Sequence, residues 1–276
     1  IEKYLGKEII KVLVGQRRVG KSYLLFQIMD TLKNQFKNPN IIFINLEINE
    51  SEKLRSSGSL YNYIKSKSIS DKLNFVLIDE IQIVPEFEKP LRSLMAEGNF
   101  DIYCTGSNAQ ILSGELGTYL GGRYIEIPVY ALSFNEFLHF HKLENTAESL
   151  DKYIKYGGLP YLIHLEMDDE TVFDYLENIS RSILFRDVVY RFEVRNVDFL
   201  VKLVTYLAKE TGNLVSARSI VNFLKSQNVS ISITAVLNYL NYLSTANLIT
   251  GVKRSDIQGK KIFEIGEKYY FNDIGI

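Results

Sequence analysis

An almost unbroken apolar run, IIKVLV at residues 9–14, stops at Gly15, and from residue 22 the chain continues as SYLLFQIMDTLKNQF. In that second stretch Leu24, Leu25, Ile28, Met29 and Leu32 recur every three or four residues. The pattern predicts a buried strand, a glycine turn and an amphipathic helix. Asn38, Pro39 and Asn40 then punctuate, and IIFINL at 41–46 reads as a second strand. A modest helix is expected over 60–69, a third strand at 75–79 (FVLID), a helix over 90–97, a fourth strand at 100–106 (FDIYCTG) and a fifth at 124–129 (YIEIPV). Short apolar strands alternating with helices argue for a mostly parallel sheet covered on both faces, because parallel neighbours are joined only by crossover connections.

Beyond residue 129 the period becomes helical throughout, beginning at SFNEF, where Ser133 and Glu136 have the spacing of a capping box. YGGLP at 156–160 interrupts this stretch, and helices resume through 199–209. From about residue 206 the order changes again. Three short helices, including SARSIVNFLKSQ and SITAVLNYLNYLSTAN, precede two strand-like pieces, LITGVKR and KIFEIGEKYYF, in the order of a winged helix.

A hydrophobic fraction of 46% and a charged fraction of 24% fit a globular chain of two or three domains with a sizeable core. No apolar run is long enough to span a bilayer, so no membrane partner is expected. Cys104, the single cysteine, suits a reducing cytosol and reads as a small buried hydrophobe; a cytoplasmic location is the expectation. His139 and His141, two apart on a helix, point to different faces and do not suggest a shared metal. A net charge of −1 gives no global attraction to nucleic acid.

Residues 15–22 read GQRRVGKS, a full match to G-x-x-x-x-G-K-[ST] between a strand and a helix. Gly15 and Gly20 permit the tight turn that points amides inward at phosphates, and the following helix N-terminus adds partial positive charge. The candidate nucleotide-binding residues are therefore Gly15, Gln16, Arg17, Arg18, Val19, Gly20, Lys21, Ser22 and Tyr23. Lys21 would reach the β- and γ-phosphates of a nucleoside triphosphate and the Ser22 hydroxyl would ligate Mg²⁺. Arg17 and Arg18 either add charge near the phosphates or face solvent, and solvent is the plainer expectation. About sixty residues on, FVLIDE ends a strand in two carboxylates. Asp79 would hold the metal's water shell and Glu80 would polarise the attacking water. At the end of the next strand, Ser107 or Asn108 in CTGSN is either a polar sensor of the γ-phosphate or a turn residue.

On these residues the chain resembles a group of AAA-superfamily ATPases of bacteria and archaea with an AAA core, a winged helix and a nuclease-like C-terminal domain. GQRRVGKS, LIDEIQ at 77–82, TGSN at 105–108, GGR at 121–123, SFNEF, GGLP at 157–160 and YYFNDIGI follow that group's signature stretches in order. The resemblance implies an α/β P-loop core over residues 1–130, a helical lid over 131–205 and a winged helix over 206–276. It also implies a further domain beyond YYFNDIGI, and a nucleotide-driven switch cycling between ATP and ADP. Arg123 lies where AAA-like proteins often carry an arginine finger, usually supplied to a neighbouring subunit, so a homo-oligomer is one expectation. The alternative is that Arg123 caps the strand or pairs with Glu115 or Glu126. An ATP-regulated DNA-binding protein is the other reading of the whole. Lys253, Arg254, Lys260 and Lys261 flank the ribbon, yet the helix that would enter a major groove contains no Lys or Arg, only Asn238 and Asn241 to read bases.

Overall fold

A computed structural model describes residues 1–107, 120–227, 229–253 and 266–276. The chain divides into two compact units, one of residues 1–15 and 19–129, the other of residues 16–18 and 130–276.

In the first unit, strands β1 (Ile10–Val14), β2 (Asn40–Asn45), β3 (Asn74–Asp79), β4 (Phe100–Gly106) and β5 (Tyr124–Pro128) form one parallel sheet in the order β2-β3-β4-β1-β5. Helices α1 (Lys21–Gln35), α2 (Ser57–Lys67) and α3 (Glu88–Glu97) cross between them. Period-two alternation assigns the faces. Val12, Val14, Ile42, Ile44, Val76, Ile78, Ile102 and Cys104 pack with Leu60 and Ile64 of α2 and Leu91 and Leu94 of α3. Leu13, Phe75, Leu77 and Tyr103 face the other way, onto Leu25, Ile28 and Leu32 of α1. The helix expected over 60–69 starts earlier, at Ser57, because the Ser56 side chain accepts the Ser59 N–H as an N-cap.

Lys11 is the exception within the apolar run of β1. It is fully buried, and its ammonium donates to the Lys7 carbonyl at 2.6 Å and to the Asp101 carboxylate of β4. The second Asp101 oxygen accepts from the Tyr103 hydroxyl and the Gly6 N–H, both at 2.8 Å, so every partner of the buried charge is satisfied.

Register decides where the functional groups fall. Val14 aligns with Gly106 and with Pro128, and Asn45 aligns with Asp79, so the loops leaving β1, β3 and β4 emerge at one edge of the sheet. The carboxyl edge is where open parallel sheets bind ligands.

The second unit is largely helical: α4 (Phe134–His141), α5 (Ala147–Tyr156), α6 (Asp169–Ser182), α7 (Val197–Lys209), α8 (Ala217–Ser226) and α9 (Ile233–Thr245). Ser133 and Glu136 do form the capping box of α4. Helix α6 runs on into a π-helical stretch, Ile183–Tyr190, which the sequence pattern did not announce. After α7 a small antiparallel sheet is built from β6 (Leu214–Val215), β8 (Glu267–Phe271) and β7 (Ile249–Val252), in that order. The two-residue β6 was not expected, and Arg254, Lys260 and Lys261 of the expected ribbon lie outside the described residues. Asp273 is buried against the GGLP turn, accepting from Gly158 N–H at 2.8 Å and from Gly275 N–H at 2.9 Å. Gly157 has φ +78°, and a Cβ there would fall 2.9 Å from the Asp273 carboxyl carbon. Only glycine fits. Among the described residues, no helix is long and apolar enough to cross a membrane.

Candidate active site

The turn after β1 is shaped as its glycines require. A side chain on Gly15 would collide with the Val129 carbonyl, and Gly20 sits at φ 97° immediately before α1. Arg18 is also left-handed, at φ 71°. Gln16, Val19 and Lys21 are buried, Ser22 is half-buried, and Tyr23 is exposed on the outer surface of α1. The Lys21 ammonium donates to the Gly15 carbonyl at 3.0 Å, which closes the loop on itself. Its charge also acts on Glu80, favouring the carboxylate form.

The two arginines of the loop separate. Arg18 is exposed, as expected, whereas the expectation of solvent does not hold for Arg17. Within the second unit, to which residues 16–18 belong, Arg17 forms a two-pronged pair with Asp187, Nε to Oδ2 at 3.1 Å and a terminal nitrogen to Oδ1 at 3.2 Å. Asp187 lies in the π-helical stretch and is buried, so a fixed cation must face it. No local pattern marks a partner 170 residues away.

Asp79 ends β3 and is buried, and Glu80 follows it with φ 57° and ψ 52°, a left-handed backbone that is uncommon for a glutamate. Thr105 of β4 holds both. Its hydroxyl donates to Asp79 Oδ1 at 2.5 Å and accepts the Glu80 N–H at 2.8 Å. The register of β3 and β4, with Ile78 beside Cys104, brings Thr105 alongside. Burial pushes the Glu80 carboxyl above its ordinary value, opposed by Lys21 and by a hydrogen bond from Gln82. Such a carboxyl is suited to taking up a proton.

Ser107, just past β4, is buried at the same edge and accepts from Gln82 Nε2 at 3.3 Å. Asn108, the other candidate, lies outside the described residues. Neither Thr105 nor Gln82 was singled out from sequence, although both stand inside the stretches TGSN and LIDEIQ. Arg123 is elsewhere. Tyr124 pairs with Ile10 at the opposite edge of the sheet, leaving the exposed Arg123 about 16 Å along β5 from the level of Val14. Its carbonyl accepts the Ile10 N–H at 3.0 Å.

Together these residues place a glycine cradle, a helix N-terminus, a buried lysine and two buried carboxylates at one sheet edge. The cradle and lysine suit a polyphosphate, and the Ser22 hydroxyl with the Asp79 carboxylate offers oxygen donors of the kind Mg²⁺ takes. The buried thiol of Cys104 is pushed up in pKa by desolvation and stays protonated, which fits packing rather than nucleophilic chemistry.

A family model described as an AAA domain matches residues 7–138, and one for a domain of unknown function, DUF8612, matches residues 147–276. An uncharacterized protein of Haemophilus influenzae is 38% identical over 282 residues, which cover 99% of this chain and 70% of that protein. An uncharacterized protein of Methanocaldococcus jannaschii is 36% identical over 264 residues, covering 90% of this chain and 57% of its relative. A Walker-type ATPase of Pyrococcus abyssi superposes with a TM-score of 0.65 over 99% of this chain and 91% of that one; at 17% identity the likeness is one of fold. With a relative 38% identical along 99% of the chain, and an AAA-domain match over residues 7–138, which carry the glycine turn and both carboxylates, the chain belongs to the family of the H. influenzae protein and matches an AAA domain in its first part.

Proposed function

We propose that this chain binds Mg·ATP at residues 15–22 and hydrolyses it, and that the two nucleotide states act as a molecular switch. The observation that carries the reading is the meeting, at one sheet edge, of the phosphate-type loop with a buried Glu80 whose backbone is pinned by Thr105. Backbone amides of residues 15–20 and the N-terminus of α1 would cradle the phosphates, and the Lys21 ammonium would exchange the Gly15 carbonyl for phosphate oxygens. Ser22 and Asp79 would hold Mg²⁺, which supplies charge neutralisation across the β- and γ-phosphates. Glu80 would orient water and accept its proton, and Ser107 would report the γ-phosphate. At its distance from the loop, Arg123 would serve only a second copy of the chain, as a finger worth about 10³ to 10⁵ in rate where such residues act.

The order of α7, α8, α9 and the small sheet supports a winged helix over 206–276. Helix α9 exposes Ile233 and Leu237 and has no cation, which supports a protein contact in preference to DNA. A nuclease-like domain, as the family resemblance implies, and a cytoplasmic setting complete the reading.

Two variants test it. Lys21→Ala is expected to lose nucleotide binding in a titration with a fluorescent ATP analogue. Glu80→Gln is expected to retain Mg·ATP while phosphate release stalls. Unchanged affinity in the first variant would reject the phosphate-loop assignment, and turnover within a few-fold of wild type in the second would remove Glu80 from the chemistry.

A further inference from the structure

Gln82 follows the two carboxylates by a single turn and is half-buried behind them. Its side-chain nitrogen is fully used, because Nε2 donates both to Glu80 Oε2 and to Ser107 Oγ. The carbonyl end is not. Oε1 is buried and accepts no hydrogen bond among the described residues. A buried acceptor left without a donor is costly, so a built site that leaves one open is arranged for a donor that arrives with the ligand. Gly106 ends β4 beside the amide, and a Cβ at that position would lie 3.3 Å from Oε1, so glycine there keeps the carbonyl end uncrowded.

We infer that Gln82 is a further catalytic residue of the ATPase site, with its Oε1 accepting a hydrogen bond from the attacking water while Nε2 fixes Glu80 and Ser107. This rests on the hydrolytic reading above. In the step itself the water oxygen forms the new bond to the γ-phosphorus as the bond to the β,γ-bridging oxygen breaks. ADP leaves with that electron pair, and the water proton passes to the Glu80 carboxylate. Water held by two acceptors, Glu80 and the Gln82 carbonyl, has its lone pair directed away from both. That lone pair is the one needed for in-line attack. A glutamine suits the task because one planar group donates through its nitrogen, accepts at its neighbouring oxygen and stays neutral beside two carboxylates.

The test compares Gln82→Met, which preserves length and removes the amide, with Gln82→Asn, which keeps the amide one methylene shorter. Each is studied in the full chain, with folding checked by circular dichroism. Expected in both is a kcat lowered about 10- to 100-fold. Affinity for ADP should stay within about threefold, while affinity for ADP with aluminium fluoride falls in parallel with kcat, since only that complex resembles the transition state. A merely structural role would move ADP affinity and the analogue together. That result, or turnover within twofold of wild type in either folded variant, would overturn the assignment. Lys21→Ala and Glu80→Gln run alongside keep the failures apart. If both controls behave as expected and the Gln82 variants do not, this inference alone is lost; a wild-type chain without turnover removes the hydrolytic reading and this inference with it.

Discussion

Replacing Thr105 by valine deletes one hydroxyl and keeps nearly the same shape, yet that hydroxyl serves both acidic residues. Without it the buried Glu80 N–H loses its acceptor at 2.8 Å and Asp79 loses its donor at 2.5 Å. An unsatisfied buried N–H costs about 1–3 kcal/mol, and a hydrogen bond to a charged group contributes about 1.5–3 kcal/mol. Since Asp79 can relax toward solvent and recover part of its loss, the net destabilisation expected is about 2–4 kcal/mol. The larger effect is on geometry. Glu80 is held at φ 57°, a backbone state that costs of order 1–3 kcal/mol and persists only while its surroundings impose it. Released, the residue returns toward ordinary helical or extended angles and swings its carboxylate out of place, which lowers turnover by about 10²-fold. Urea unfolding followed at 222 nm and steady-state phosphate release read the two effects separately, and Thr105→Ser should restore both, because serine supplies the same oxygen. If Thr105→Val unfolds at the wild-type midpoint and turns over at the wild-type rate, the hydroxyl does not hold the site.

For Arg123 the expectation is assembly-dependent activity: turnover per chain rises with protein concentration, Arg123→Ala binds ATP without hydrolysing it, and mixing that variant with Lys21→Ala restores part of the activity. No rescue on mixing, with concentration-independent turnover, would leave Arg123 a structural residue at the start of β5. Asp273 gives a pH dependence of stability. Burial raises its carboxyl above the ordinary 3.8 in spite of three backbone N–H donors. The folded state therefore binds this proton more tightly than the unfolded state, so the contribution is full below 3.8 and is lost as pH rises through the higher folded value. Asp273→Asn should flatten that loss between pH 3.8 and neutrality relative to wild type, measured as the difference in urea midpoints; parallel curves for the two proteins would refute it.

Much of the first unit was readable from local pattern, because a strand buried on both faces announces itself as a continuous apolar run and α1 as a three-and-four spacing. What escaped depends on register or on distant partners. Lys11 sat unremarked inside IIKVLV, since its counter-charge, Asp101, lies ninety residues on. Ser107 and Asn108 drew notice because AAA-like enzymes keep a polar sensor at the end of the strand after the acidic one. Thr105, two residues earlier, looks like any strand threonine until the pairing of β3 with β4 sets it beside Asp79. Gln82 was similarly hidden behind the acidic pair that it braces, and Arg17 was assigned to solvent because Asp187 belongs to another part of the sequence. Two residues suffice for β6 only because β8 is there to receive them.

The clasp between Asp273 and the GGLP turn also sets an order of events during synthesis. The Gly158 amide waits for a carboxylate 115 residues downstream, which at about 5–20 residues per second is roughly 6–23 s of elongation, followed by the time needed to clear the ribosome. Through that interval the turn is an unclosed loop with an unmet donor and a glycine free to sample many backbone states. Helices α4 to α9 can each begin to form as they emerge, but the second unit cannot reach its final packing until β8 has passed and Asp273 arrives.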